Sequence, residues 1–89
     1  MEIKVIYLPR AQEDLLYWKK SGNTGIQQRI SKLILSIMEN PYEGIGKPEA
    51  LKYHYAGWWS RRINEEHRLV YRFEEGKILI AQLRFHYSQ

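Results

Sequence analysis

The side chains that could do chemistry lie mostly in the second half of the chain. From Lys52 to Arg62, basic and aromatic residues crowd together: Lys52, Tyr53, His54, Tyr55, Trp58, Trp59, Arg61 and Arg62. Cations that neutralise phosphate, beside rings on which bases stack, are the pattern of single-stranded RNA binding. An ordinary strand yields the same stretch, because one of two adjacent Trp residues must face a core. The charge follows the same division. Residues 1–46 carry six basic and five acidic side chains, and residues 47–89 carry eight and five, so most of the net +4 sits in the second half. His54, His67 and His86 lack metal-site spacing, and with no cysteine there is neither a thiolate metal site nor a disulfide. A lone histidine is ordinarily structural or solvated. His86 stands apart because Arg84 and Tyr87 flank it. Glu49 lies in a Gly/Pro loop between Lys47 and Lys52, where a single carboxylate is ordinarily solvated. Glu65-Glu66 reads most simply as a polar turn.

These residues have to be positioned by a small fold. The chain has 89 residues, 44% of them apolar and 27% charged, which is globular composition and room for one domain over residues 1–89. No apolar run reaches the ~18 residues of a membrane span. The start Met1-Glu2-Ile3-Lys4 lacks the apolar stretch of a signal peptide, so a soluble cytoplasmic protein is expected. Twelve Phe, Trp and Tyr residues supply buried area that so small a core otherwise lacks.

Ile3 to Tyr7 is short and β-branched, which predicts a strand. Pro9 fits a first helical turn, and Ala11, Leu15 and Trp18 recur at helical spacing through Lys20. Ser21 to Gly25 breaks that helix. Ile26, Ile30, Leu33, Ile34, Ile37 and Met38 then form one apolar stripe, which Asn40-Pro41 ends. Residues 42–52 read as a loop. Trp58–Asn64, Arg68–Phe73 and Ile78–Phe85 read as strands, with turns at Asn64-Glu65-Glu66 and Glu75-Gly76. The expected fold class is α+β: an N-terminal strand, two helices and an antiparallel meander, with both helices on one face of a mainly antiparallel sheet. By alternation, Leu69, Tyr71 and Phe73 join Leu79, Ala81, Leu83 and Phe85 under the helices. Arg68, Arg72, Gln82, Arg84 and His86 then converge on the open face, unless a bulge reverses the register.

Four segments resemble the YoeB toxins, a branch of the RelE-like superfamily of bacterial type II toxin–antitoxin systems. They are Gly44-Ile45-Gly46-Lys47-Pro48-Glu49-Ala50-Leu51-Lys52, Gly57-Trp58-Trp59-Ser60-Arg61-Arg62-Ile63, Glu65-Glu66-His67-Arg68-Leu69-Val70-Tyr71 and Arg84-Phe85-His86-Tyr87. The pair Tyr17-Trp18 fits as well, and the likeness spans nearly the whole chain. Ser88 and Gln89 follow the His-Tyr pair, where members of the family commonly stop.

The resemblance implies a microbial-ribonuclease-like α+β fold and an endoribonuclease that cuts messenger RNA in the A site of the 70S ribosome, inhibiting translation. It implies Glu49 as general base, Arg68 as holder of the scissile phosphate, His86 as general acid and Tyr87 as an aid to RNA placement. Lys52, Arg62, Glu66 and Arg84 would support the substrate. The implied partners are a cognate YefM-like antitoxin with an acidic segment and operator DNA reached only through that complex. A homodimer is implied too, with no membrane and no cofactor or metal. The residue types suit this chemistry. The ribose 2′-hydroxyl is itself the nucleophile, so a base, an acid and a phosphate-holding cation suffice. Two other readings remain open from sequence: a non-catalytic ParE-like toxin that binds DNA gyrase, and a plain RNA-binding domain.

Overall fold

The computed structural model describes residues 2–86. Strand β1 (Lys4–Tyr7) runs along one edge of the sheet, and the Leu8 N–H donates to the Ile80 carbonyl at 2.9 Å. Pro9 then opens helix α1 (Pro9–Ser21), where its missing N–H would have no intrahelical partner anyway. Gly22, at φ 73°, closes α1 in the left-handed conformation. Asn23 caps helix α2 (Thr24–Glu39), its Oδ1 accepting the Ile26 N–H at 3.1 Å. The apolar stripe of α2 faces inward as its spacing requires, with Ile30, Leu33 and Ile37 buried and Ile26, Ile34 and Met38 packed beside them.

Four further strands follow: β2 (Glu49–Ala50), β3 (Trp59–Arg62), β4 (Arg68–Glu74) and β5 (Lys77–Gln82). The sheet order is β1-β5-β4-β3-β2. β2 to β5 form an antiparallel meander, and β1 pairs parallel with β5. Both helices pack on one face over Leu69, Tyr71, Ile78, Ile80 and Leu83. The expected fold class is therefore the observed one.

Three details differ from the sequence expectation. The loop expected over 42–52 contains β2, which pairs Glu49 with Ser60 and Ala50 with Trp59. β5 ends at Gln82 rather than Phe85. Its pairing also slips: Tyr71 opposes Ile80, yet Val70 opposes Gln82, so Ala81 is an extra residue in a bulge. Before the bulge Ile78 and Ile80 face the core, and Leu79 and Ala81 do not; after it Leu83 returns to the core while Phe85 stays exposed. Simple alternation had placed Leu79, Ala81 and Phe85 inside.

Arg61 is fully buried on the helix side of β3. Its Nε donates to the Tyr71 hydroxyl at 3.1 Å. Nη1 donates to Ser36 Oγ at 2.7 Å and the Ile45 carbonyl at 3.2 Å. Nη2 donates to the carbonyls of Asn40 and Glu43 at 2.7 and 3.0 Å. The Tyr71 hydroxyl in turn donates to the Pro41 carbonyl. One guanidinium thus gathers the end of α2 and the following loop against β3 and β4. Gly44 and Gly46, at φ 134° and 83°, let that loop lie against it; a Cβ on Gly44 would meet Ser36 Oγ and the guanidinium itself. The Arg62 N–H closes the arrangement on the Gly46 carbonyl at 2.7 Å.

Replacing Arg61 with Met strands five acceptors at once. Urea unfolding is expected to show a loss of about 3–5 kcal/mol, since each buried acceptor left unsatisfied costs about 1–3 kcal/mol and only some can find another donor. A loss below about 1 kcal/mol would contradict the anchoring role. Burial raises the Tyr71 pKa, partly offset by the hydrogen bond and charge of Arg61, and burial also raises that of Tyr7. Both phenols therefore keep their protons longer in the folded state. That stability is fully present below about pH 10, the unfolded value, and is lost as pH rises through the folded values. Tyr71→Phe should flatten the alkaline fall in melting temperature.

Candidate active site

Lys47, Pro48, Glu49, Ser60, Arg62, Arg68 and His86 line one cleft of about 400 Å³ at the sheet's open face. Three separate stretches of chain supply it. Lys47 to Glu49 arrive on the loop held by Arg61, and Lys47 adopts φ 50°, a conformation that residues other than glycine take at a cost. Ser60 and Arg62 alternate with Trp59 and Arg61 along β3, so they point to the open face while Arg61 points inward. Arg68 begins β4 opposite Arg62.

Arg68 is nearly buried, at 9% exposure. Its Nη1 alone donates to main-chain carbonyls, those of Asn64 at 2.7 Å, Glu65 at 3.2 Å and His67 at 3.1 Å. The guanidinium is clamped by one nitrogen, and its remaining N–H groups carry no hydrogen bond among the described residues. A fork held in this way suits two oxygens of one phosphate. The turn that clamps it is shaped by Asn64, whose Oδ1 accepts the N–H groups of Glu66 and His67 at 2.8 and 2.7 Å.

His86 comes on the segment after β5. Asp14, buried at 4% exposure, accepts the Leu83 N–H at 3.0 Å. The Trp18 indole donates to the Leu83 carbonyl at 2.9 Å. The Gln82 amide donates to the carbonyls of Arg84, Phe85 and His86 at 2.9, 3.1 and 3.1 Å. The His86 ring is exposed, with Nε2 3.2 Å from the Glu65 carbonyl. A carbonyl can only accept, so Nε2 carries a proton there. The same carbonyl accepts from Arg68, so it links Arg68 and His86.

The structure thus brings together Glu49, Arg62, Arg68 and His86 from the candidates named in the sequence. It places Arg84 elsewhere, because the chain turns out of β5 after Gln82. The Arg84 guanidinium lies 3.4 Å from the Tyr17 ring centroid and 4.4 Å from that of Phe85, in a separate hollow beside α1. Glu66 lines that second hollow as well, with Oε1 3.4 Å from His67 Nε2. Arg72, expected on the open face beside Arg68, pairs with Glu74 at 3.1 Å near the Trp58 ring. Lys52 precedes the 3-10 helix Tyr53–Tyr55 and is not among the residues lining the cleft. Tyr87 lies outside the described residues.

Lys47 and Ser60 also line the cleft although no sequence pattern assigns them a role there, and Gln82, expected on the open face, instead holds the segment that carries His86. The pairing of β2 with β3 was the missing signal, since it sets Ser60 directly opposite Glu49. Among the described residues no group of three metal-binding side chains occurs, and no helix is long and apolar enough to cross a membrane.

The model of the family described as YoeB-like toxin of bacterial type II toxin–antitoxin system matches residues 7–87. The chain belongs to this family. Toxin YoeB of Escherichia coli K12 is 45% identical over 96% of the chain and all of the relative. A solved YoeB dimer from Staphylococcus aureus is 41% identical, covers 98% of the chain and 100% of its own, and superposes with a TM-score of 0.89. A heterotetrameric YoeB–YefM toxin–antitoxin complex from the same organism, also 41% identical with the same coverage, gives 0.87. The present chain is accordingly a type II toxin of the YoeB kind, with the family's fold throughout.

Four side chains around the cleft are basic or imidazole and one is acidic, so it should attract an anion. Titrating inorganic phosphate into isotope-labelled protein should shift the side-chain resonances of Arg68, Arg62 and His86. Arg84 should stay still. Equal shifts at Arg84 would show that the charge is not focused in this cleft.

Proposed function

We propose that this toxin is a metal-independent endoribonuclease that cuts messenger RNA in the ribosomal A site and so stops translation. The observation that carries the reading is the single cleft shared by Glu49, Arg68 and His86, each delivered by a different segment. In the proposed step Glu49 takes the proton of a ribose 2′-hydroxyl. The freed oxygen attacks the adjacent phosphorus, and the bond to the 5′-oxygen of the next nucleotide breaks. Arg68 holds the phosphate and offsets the charge that builds on its oxygens, with Arg62 and Lys47 adding to the field. His86 gives a proton to the departing 5′-oxygen, and its Nε2–H, now on the Glu65 carbonyl, is the available one. Tyr87, the next residue, helps to place the RNA. The ribosome supplies substrate geometry that so small an open cleft does not impose alone.

The partners follow from the same chemistry. A cognate antitoxin with an acidic segment fits a basic cleft and inhibits by occupying or distorting it. The S. aureus YoeB–YefM assembly supports such a partner, and the S. aureus dimer supports self-association. Operator DNA is met only through the toxin–antitoxin complex. Ribosome-bound messenger RNA as substrate puts the site of action in the cytoplasm.

Glu49→Ala, Arg68→Ala and His86→Ala should each slow cleavage by about 10²–10⁴-fold. Each should relieve growth arrest on expression while leaving the far-ultraviolet circular dichroism unchanged. Intact messenger RNA together with accumulating double-strand DNA breaks would instead favour a gyrase-binding toxin.

A further inference from the structure

We propose that His67 is a positioning residue for His86, acting through the main chain of Phe85. The inference rests on the endoribonuclease reading for its kinetic consequence but not for its geometry. His67 is only 7% exposed. Its ring meets Trp18 edge-on, with centroids 4.9 Å apart, and Phe85 at a tilt, 5.8 Å away. Its Nδ1 accepts the Phe85 N–H at 2.7 Å. Because Nδ1 is the acceptor, the ring proton resides on Nε2, toward Glu66 Oε1 at 3.4 Å.

The neighbouring residue completes the grip. The Arg68 N–H donates to the Phe85 carbonyl at 3.1 Å. Residues 67 and 68 therefore hold both polar main-chain atoms of Phe85, one with a side chain and one with the backbone. Phe85 sits at φ 66°, a left-handed conformation that a residue with a Cβ adopts only when its surroundings impose it. That conformation turns the chain immediately before His86. The other holds act differently: Asp14 and Trp18 grip Leu83, and Gln82 and Arg10 grip carbonyls. Among the described residues, only the His67 ring accepts the Phe85 amide. Since Arg68 lies next to His67, the same two residues set the phosphate clamp and the direction from which His86 approaches.

The contact has a direct signature, because an N–H···N hydrogen bond carries a scalar coupling between its two nitrogens. Such a coupling is expected between the Phe85 amide nitrogen and His67 Nδ1 in uniformly ¹⁵N-labelled toxin. Its absence in the folded protein overturns the proposal, whether or not the toxin cuts RNA. The kinetic arm uses ribosome-bound messenger RNA. His67→Leu keeps bulk without an acceptor and should lower kcat by about 10–100-fold, as a misplaced acid does, with KM within about twofold. His67→Asn puts an oxygen near the Nδ1 position and should recover most of the loss. Full kcat in His67→Leu, or equal losses in the two variants, overturns the proposal. A parent toxin that shows the coupling but leaves the RNA intact would count against the endoribonuclease reading and leave the positioning geometry standing.

Discussion

A guanidinium sealed inside a small core sets the frame on which the cleft is built. Arg61 has no exposure, and its hydrogen-bond partners are two hydroxyls and three main-chain carbonyls rather than a carboxylate. Desolvating such a cation is costly, and the cost is met only when the donors are well used. Here they are, and the acceptors come from α2, the loop after it and β4. The arrangement makes the loop a fixed part of the fold instead of a mobile connection. It also explains why two glycines lie where the loop crosses the guanidinium. Loss of Arg61 would therefore reach Glu49, which sits only a few residues beyond the gathered segment.

A second, independent frame holds the other half of the cleft. Asp14 and Trp18 on α1, with Gln82 from β5, fasten the chain after the bulge. The two frames meet at β4, where Arg68 is clamped by the Asn64 turn and His86 rests on the same Glu65 carbonyl. The helices supply no side chain to the cleft itself. Their contribution is to position the segments that do. The proposed base and acid thus come from parts of the fold that are stabilised separately, and the substrate phosphate would be the element that joins them.

Much of this organisation is legible in the sequence. The stripe of α2, Pro9 at the start of α1 and the Asn40-Pro41 stop follow from local periodicity and backbone restriction, so helices and element order could be read directly. The family motifs carried Glu49, Arg68 and His86, and the fold places these three in one cleft. What escaped depended on partners distant in the chain. β2 is only two residues long and exists because Ser60 and Trp59 offer it a ladder. The Ala81 bulge reverses the inside–outside pattern of β5, and no local residue preference announces it. The burial of Arg61 and Asp14 likewise depends on acceptors and donors that only the fold brings to them. Arg84 looked like a companion of His86 by alternation, but alternation lapses once the strand ends at Gln82.

The proposed chemistry makes the ribose of the substrate its own nucleophile, and the ends of the cut RNA record whether that happens. The most direct measurement is the end-group chemistry of fragments produced on the ribosome, with a matched message carrying a 2′-deoxynucleotide at the cut position. The expected products are a 2′,3′-cyclic phosphate, or the 3′-phosphate derived from it, on the upstream fragment and a 5′-hydroxyl on the downstream one, with no cutting of the deoxy-substituted message. Fragments bearing 5′-phosphate and 3′-hydroxyl ends, or undiminished cutting at the deoxynucleotide, would contradict a step in which Glu49 activates the ribose and His86 protonates the departing oxygen.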